Sequence, residues 1–282
     1  ALSGIGGDEL FGGYPRYLGL RLASYYQTVP RAMRAGLAAV ASRIGRESGS
    51  GRDQMGRVKR FVDHGHRSLA EQYRRWTTFI PAEWETGIWS GAMKEVLPHG
   101  FAPGRPSPLF DQWPSANPMD RAMGLDLQTY LPDDLLRMGD RMSMAHSLEL
   151  RVPFCDHVLL ACALRVSPSL RLSGWQLKGF MRSALRGLVP GAILDGPKQG
   201  FMIPLARWLR EDLREMAQDL LSEAAIRRRG YVTPEYVQWL QEEHQSGRRN
   251  FADQLYALMV LELWHEQAAQ PASEPAMAVE VV

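Results

Sequence analysis

Apolar residues recur at helical spacing along most of the chain. The pattern turns helical from Tyr17, and Met33, Leu37, Val40 and Ile44 follow at intervals of three and four. Residues 46–52 (Arg-Glu-Ser-Gly-Ser-Gly-Arg) read as a loop, and 67–80 as a helix with Leu69, Tyr73 and Trp76 along one side. Asn117-Pro118 predicts a helix start, an N-cap followed by a first-turn proline with Asp120 near the positive end of the dipole, and this helix is expected to reach Tyr130. Leu131-Pro132-Asp133-Asp134 opens the next, through Leu135, Leu136 and Met142 to Leu148. Pro153 breaks the pattern, and Asp156 caps a helix to Arg165. Helix is expected again over 175–188, then a loop over 190–204. A long amphipathic helix follows, with Leu205, Trp208, Leu209, Leu213 and Met216 inward. Thr233-Pro234-Glu235 caps another, and 251–265 forms the last. The pattern as a whole is mainly α.

Two stretches break this regularity. Residues 98–118 carry six prolines and two glycines and mark an internal boundary. The tail from Gln270 is rich in Ala, Pro, Glu and Val and reads as disordered. The expected organisation is therefore 1–16 as a strand end and glycine-rich loop, 17–115 and 116–266 as helical subdomains, and 267–282 as a disordered tail. The chain opens at Ala1 inside what reads as the end of a strand with no neighbouring strands evident, so it is expected to be the C-terminal part of a longer protein.

Composition narrows the class. The 282 residues are 45% hydrophobic and 23% charged, as in ordinary soluble globular proteins. A net charge of +2 gives no sign of a nucleic-acid partner, and Arg227–Arg229 read as a solvated helix end. No apolar run is long enough for a bilayer and no signal peptide opens the chain, so no membrane partner is expected. Cys155 and Cys162, seven apart on one expected helix, would lie roughly 10 Å apart along its axis, too far for a disulfide. They read as small core residues of a reducing compartment, which makes the expected location cytoplasmic. Trp76, Trp84 and Trp89 read as packing for the helical subdomain.

Candidate chemistry sits in three places. In the opening loop, Ser3-Gly4 is followed by Gly6, Gly7, Gly12 and Gly13, with Asp8-Glu9 in their midst. Such glycines let backbone N–H groups approach an anion, and a carboxylate beside them can hold the metal that accompanies a phosphate. Between Leu131 and Asp156, the charges Asp133, Asp134, Asp140, Arg141, Glu149, Arg151 and Asp156 punctuate an apolar run; ligand contacts and structural ion pairs are both open for them. In Pro197-Lys198-Gln199-Gly200-Phe201, a lysine between proline and glycine suits a point charge brought to a phosphate, although an ordinary surface lysine reads the same way.

Taken in order, Ser-Gly-x-Gly-Gly-Asp-Glu-Leu-Phe-Gly-Gly-Tyr-Pro, Tyr-Leu-Pro-Asp-Asp-Leu-Leu, Asp-Arg-Met-Ser-Met-Ala, Leu-Glu-x-Arg-Val-Pro-Phe-x-Asp and Pro-Lys-Gln-Gly-Phe resemble the glutamine-hydrolysing asparagine synthetases. The match is to the C-terminal part of their synthetase domain and covers about residues 1–210. The resemblance implies the helical portion of an α/β PP-loop (adenine nucleotide α-hydrolase-like) domain, with residues 1–16 as part of its nucleotide-binding core. It implies an ATP- and Mg²⁺-dependent carbon–nitrogen ligase that converts aspartate to β-aspartyl-AMP and then, with ammonia from glutamine, to asparagine. By motif position, Asp8 would hold Mg²⁺–pyrophosphate and Lys198 would stabilise the adenylation transition state. Ser3, Gly4, Gly6 and Gly7 would line the acyl-adenylate pocket, and Glu9 would stand beside the metal ligand. Asp140, Arg141, Glu149 and Arg151 would form the pocket wall and the ion pairs that hold it. Association as a homodimer is common in such a family.

This chain also departs from that family. Ile5 stands where several asparagine synthetases hold an acidic residue acting on the incoming ammonia, and Met138 stands where many carry lysine or arginine. The pyrophosphate-binding SGGxDS loop and the N-terminal glutaminase domain with its cysteine nucleophile are not in this sequence, so these residues alone are not expected to turn over. Two alternatives stand beside asparagine synthesis. One is a related amidotransferase or β-lactam synthetase-like enzyme acting on another carboxylate. The other is a non-catalytic helical interaction module.

Overall fold

The computed structural model describes residues 1–41, 61, 65, 67–78, 85–97, 108–172, 174–196 and 203–269. Ile44, the 46–52 loop, Trp84, residues 98–107, Lys198 with its motif, and the tail from Gln270 lie outside the described residues. Among the described residues the chain is mainly helical, and its β structure is limited to isolated bridges. No helix among them is long and apolar enough to cross a membrane. The chain divides into two compact units, the first holding described residues of 1–78 and 108–196, the second those of 85–97 and 203–269.

In the first unit a five-residue helix α1 (Gly7–Phe11) leads into α2 (Pro15–Tyr26), started by Pro15. Helix α3 (Leu69–Thr77) begins with a reciprocal cap: Ser68 Oγ accepts from Glu71 N at 3.2 Å, and the Glu71 carboxylate accepts from Ser68 N at 2.9 Å. Helix α4 (Pro118–Gln128) is capped by Asn117, whose Oδ1 accepts from Met119 N at 2.9 Å. Tyr17 and Leu20 of α2, Ala70 and Tyr73 of α3, and Met119, Ala122 and Met123 of α4 bury one shared core with Phe110 and Leu172. Helices from both sides of the boundary expected at 115/116 thus belong to one unit.

The polar centre of this core is Asp126. It is 3% exposed and accepts from the Tyr17 hydroxyl at 2.5 Å, the Tyr73 hydroxyl at 2.5 Å and Arg16 Nη2 at 2.8 Å. A carboxylate tolerates such burial only when donors replace its water. Burial first, then the adjoining phenol and carboxylate charges, pushes both phenols well above their ordinary range, so both remain donors. A second buried pair, Arg171 with Asp120, lies beside it, and Trp113 Nε1 donates to the same Asp120 carboxylate at 3.3 Å.

Past Tyr130 the expected single helix is two elements, a π-helical turn (Leu131–Leu136) and then α5 (Arg137–Met144). It stops short of Leu148 because Ser147 is left-handed (φ 56°) and Leu148 N turns back to Ser143 O at 3.0 Å. Asp156 caps α6 (His157–Arg165), accepting from Val158 N at 2.9 Å and Leu159 N at 3.1 Å, and these bonds hold its carboxyl below the usual range. Cys155 sits in the 3₁₀ turn Pro153–Cys155 and Cys162 in α6, so the two do not share a helix as expected; both are free thiols. Helix α7 (Gly179–Ala184) is shorter than the expected 175–188, because Lys178 is left-handed (φ 55°) and cannot continue a helix on its N-terminal side.

In the second unit α8 (Pro234–Gln245) and α9 (Ala252–Ala269) enclose a core of Leu209, Leu221, Ile226, Val237, Leu240, Phe251, Leu255 and Met259, with Trp89 packed against it. The helix expected from Leu205 is two, Leu205–Trp208 and Arg214–Leu220, and the turn between them leaves Met216 42% exposed rather than inward. Thr233 Oγ1 donates to Gly87 O at 2.9 Å instead of capping α8. Of the arginines read as solvated, Arg227 pairs with Glu223 at 2.8 Å and Arg229 with the buried Glu262 at 2.9 Å. Residues 267–269, expected in the tail, are the end of α9.

His244 closes this core. It is fully buried, its Nδ1 accepts from Phe251 N at 3.1 Å, and its Nε2 faces Ala206 O at 3.2 Å. Burial, with Arg210 nearby, pushes the imidazole down to about 4. The unfolded chain binds that proton near pH 6.5, so the stability from neutral His244 is complete above about 6.5 and is lost as pH falls toward the folded value. Unfolding free energy is expected to fall by up to about 3 kcal/mol across that window, and His244→Gln should flatten that slope in denaturant titrations. Asp126→Ala, which orphans three donors, should cost about 3–5 kcal/mol by urea unfolding, and Asp126→Asn less. Wild-type stability in the alanine variant would contradict the central role given to Asp126.

Candidate active site

The opening segment is tied to the second motif by a parallel bridge between Leu2 and Arg151. Arg151 N donates to Ala1 O and Ser3 N to Arg151 O, both at 2.8 Å, and Ser3 Oγ accepts from Ile5 N at 3.3 Å. The chain then reverses at Gly6 (φ 93°), where a Cβ would come within 2.7 Å of Cys155 Sγ, so only glycine suits both the backbone and the contact. Phe154 packs over Gly7 in the same way. The 3₁₀ turn of the second motif thereby braces the first, and α1 presents Asp8 at its second residue.

Asp8 meets Lys178. Asp8 Oδ1 and Lys178 Nζ are 2.7 Å apart, and both side chains are 27% exposed. The pair lies across the backbone of Gly13, where a Cβ would overlap Asp8 Oδ1 and stand 2.5 Å from Lys178 Cε. Lys178 N also donates to Gly12 O at 3.3 Å. A left-handed lysine costs on the order of 1–3 kcal/mol and persists only where its surroundings over-determine it.

Glu9 takes the opposite direction. It is 1% exposed and accepts from the Tyr14 hydroxyl at 2.5 Å. Burial pushes its carboxyl up, against the pull of the Tyr14 bond, and the Tyr14 phenol is itself raised by burial and by Glu9. The Arg16 guanidinium stacks on the Tyr14 ring at 4.0 Å and on Tyr130 at 5.0 Å. Glu9, next to Asp8 in the chain, points inward and is held by Tyr14, because successive helix positions point about 100° apart.

The remaining candidates stay near the surface. Asp140 and Arg141 are exposed on α5, whose Gly139 abuts the Ile5 side chain and Leu150. Glu149 and Arg151 pair at 2.9 Å with side chains 67% and 71% exposed. Gly4 is exposed, with open space where a Cβ would stand. Beside the loop runs an open groove of about 350 Å³ lined by Leu150, Arg151, Val152, Pro153, Cys155 and Asp156. Among the described residues no three His, Cys, Asp or Glu side chains converge as metal ligands.

The residue missed by sequence reading is Lys178. A signal existed: Lys59, Lys94, Lys178 and Lys198 are the lysines among 33 Lys and Arg residues. In a chain that uses arginine almost everywhere else, two lysines twenty positions apart mark places where a compact point charge is wanted.

Fold and geometry together define a mainly helical domain in which a glycine-rich loop holds a half-buried carboxylate–ammonium pair. The asparagine synthase family model matches residues 1–266, and the chain belongs to that family. It is 26% identical over 265 residues to an asparagine synthetase [glutamine-hydrolyzing] of Bacillus subtilis, across 94% of this chain and 40% of the relative. It is 31% identical over 274 residues to a putative asparagine synthetase [glutamine-hydrolyzing] of Mycobacterium bovis, across 94% and 38%. A Gibberella zeae protein, amidase chry2, is 26% identical over 247 residues, across 82% and 36%. The chain thus spans about two fifths of the length of the first two relatives. No solved structure matches it.

Gly13→Ala should displace the Asp8–Lys178 pair and cost about 1–3 kcal/mol in chemical denaturation. Gly4→Ala, facing open space, should stay within about 0.5 kcal/mol of wild type. Equal effects at the two positions would contradict the packing described.

Proposed function

We propose that this chain is the helical portion of an ATP-dependent carbon–nitrogen ligase that forms asparagine from aspartate. The observation that carries the reading is the partly buried Asp8–Lys178 pair, 2.7 Å apart on the glycine-rich loop of a chain that belongs to the asparagine synthase family. In this reading the aspartate side-chain carboxylate attacks the α-phosphorus of ATP, and the bond to pyrophosphate breaks. Ammonia derived from glutamine then adds to the acyl carbon of β-aspartyl-AMP, loses a proton, and AMP leaves with the C–O bonding pair. Charge builds on the phosphates in the first step, and fixed cations stabilise it. Lys178 is placed to do so, and Lys198 is proposed as its companion by motif position.

Magnesium is commonly held by one or two carboxylates together with substrate phosphates rather than by a protein cage. Asp8, a single carboxylate not joined by two others among the described residues, fits a metal that arrives with the nucleotide. Bound there, the metal would offset phosphate charge. Ser3, Gly6 and Gly7 shape the loop around Asp8, Glu9 braces it from inside, and Arg151 makes the single bridge to the opening segment, with Glu149 beside it. Because the relatives are more than twice as long as this chain, the PP-loop core and the glutaminase activity are proposed to lie in polypeptide beyond these residues.

Ile5 supports a second reading. Its side chain lies against Gly139 and Leu150, an apolar wall where the resemblance implies an acidic residue. Amidation of a different carboxylate, or use of a different amine, would suit that wall. Pyrophosphate release with aspartate against other carboxylic acids separates the two readings. For the first, Lys178→Ala or Asp8→Asn in the full-length protein should reduce aspartate-dependent pyrophosphate release by about 10²-fold or more while glutamine hydrolysis continues. Unchanged release in both variants would refute the assignment.

A further inference from the structure

We propose that Arg21 is a positioning residue that sets the place of Lys178, an inference that rests on the phosphate-facing reading of that lysine. Arg21 belongs to α2 and touches neither Asp8 nor Lys178 in any described contact. Its guanidinium instead spans two carbonyls of the segment leading to Lys178: Nη1 donates to Gly174 O and Nη2 to Leu172 O. The same group lies over the Trp175 ring at 5.6 Å, and Trp175 rests against Tyr25, one turn further along α2, at 6.3 Å.

The described residues between Arg171 and Lys178 are therefore held at several points. At its start, Arg171 is buried on Asp120. Beside it, Leu172 is 5% exposed and packs so closely under the loop that a Cβ at Gly12 would stand 2.7 Å from Leu172 Cδ2. In the middle, Arg21 holds two carbonyls at once. At the end, Lys178 N meets Gly12 O at 3.3 Å and the backbone enters the left-handed region. A strained residue of this kind needs several restraints acting together. Of those restraints, Arg171–Asp120 and Leu172 belong to the core, and their loss would unsettle the fold. Arg21 is only partly buried, so its loss should free the segment while the core stays packed. A lysine at this position keeps the charge but replaces the two separate nitrogens of the guanidinium fork with one, so it loses the fixed two-point geometry.

The test is a double-mutant cycle in the full-length protein, with magnesium pyrophosphate as the probe and isothermal titration calorimetry as the readout. Arg21→Ala should weaken pyrophosphate binding by about tenfold and lower the melting temperature by only a few degrees. Arg21→Lys, which retains charge and stem, should restore less than half of that loss on a logarithmic scale. Lys178→Ala should weaken binding at least as much, and the double variant Arg21→Ala/Lys178→Ala should bind no more weakly than Lys178→Ala alone. Wild-type binding by Arg21→Ala, full restoration by Arg21→Lys, or additive losses in the double variant would overturn the role of Arg21. Wild-type binding by Lys178→Ala would overturn the phosphate reading itself, and the role of Arg21 with it.

Discussion

The first unit depends on the carboxylate of Asp126. Two phenols and a guanidinium from α2 and α3 converge on this one buried side chain of α4, and none of the three helices could shift without leaving a charge or donor stranded away from water. Its weight differs from that of the surface pairs. Glu149 with Arg151 is largely exposed, and pairs of that kind are worth about 0–1 kcal/mol. Removing Asp126 would strand two buried phenols and a partly buried guanidinium together.

Fixing α2 in this way reaches beyond the core. The same helix carries Arg16 and Tyr17 near its start and Arg21 a turn later, so one element holds both Asp126 and the Leu172 and Gly174 carbonyls. From those carbonyls the chain runs to Lys178, and Lys178 meets Asp8 over Gly13. Glu9 and Tyr14 brace the opposite side of α1. The partly buried pair is thus supported from two sides by groups outside it. This is the arrangement a preorganised site requires, because side chains that must meet developing charge cannot afford to relax as it appears.

What the sequence made legible was local. Asn117 and Asp156 were readable as helix starts because a capping side chain bonds to its own next turn, and the structure finds both bonds. The breaks were not readable. Ser147 and Lys178 adopt left-handed conformations that their residue types do not favour, and the contacts around Lys178 come from the distant Gly12 and Asp8. The split of the helix expected from Leu205 has the same character, since its apolar spacing suits one long helix as well as two short ones. Asp8 and Glu9 were adjacent candidates with similar chemistry, and nothing in the sequence says which faces outward. Lys178 was hidden because its partner lies 170 positions away, although the scarcity of lysine pointed to it. The family resemblance was legible from five motifs in order, and the match over 1–266 bears it out.

The central claim is that Asp8 and Lys178 form the phosphate-handling centre of this chain, held there from α2. The most direct measurement is a crystal structure of the full-length protein with magnesium pyrophosphate bound. The account predicts a phosphate oxygen within about 3 Å of Lys178 Nζ, the metal on Asp8, and the Arg21 fork still on the Leu172 and Gly174 carbonyls. Pyrophosphate bound elsewhere, with Lys178 still closed on Asp8 and touching no phosphate, would contradict it.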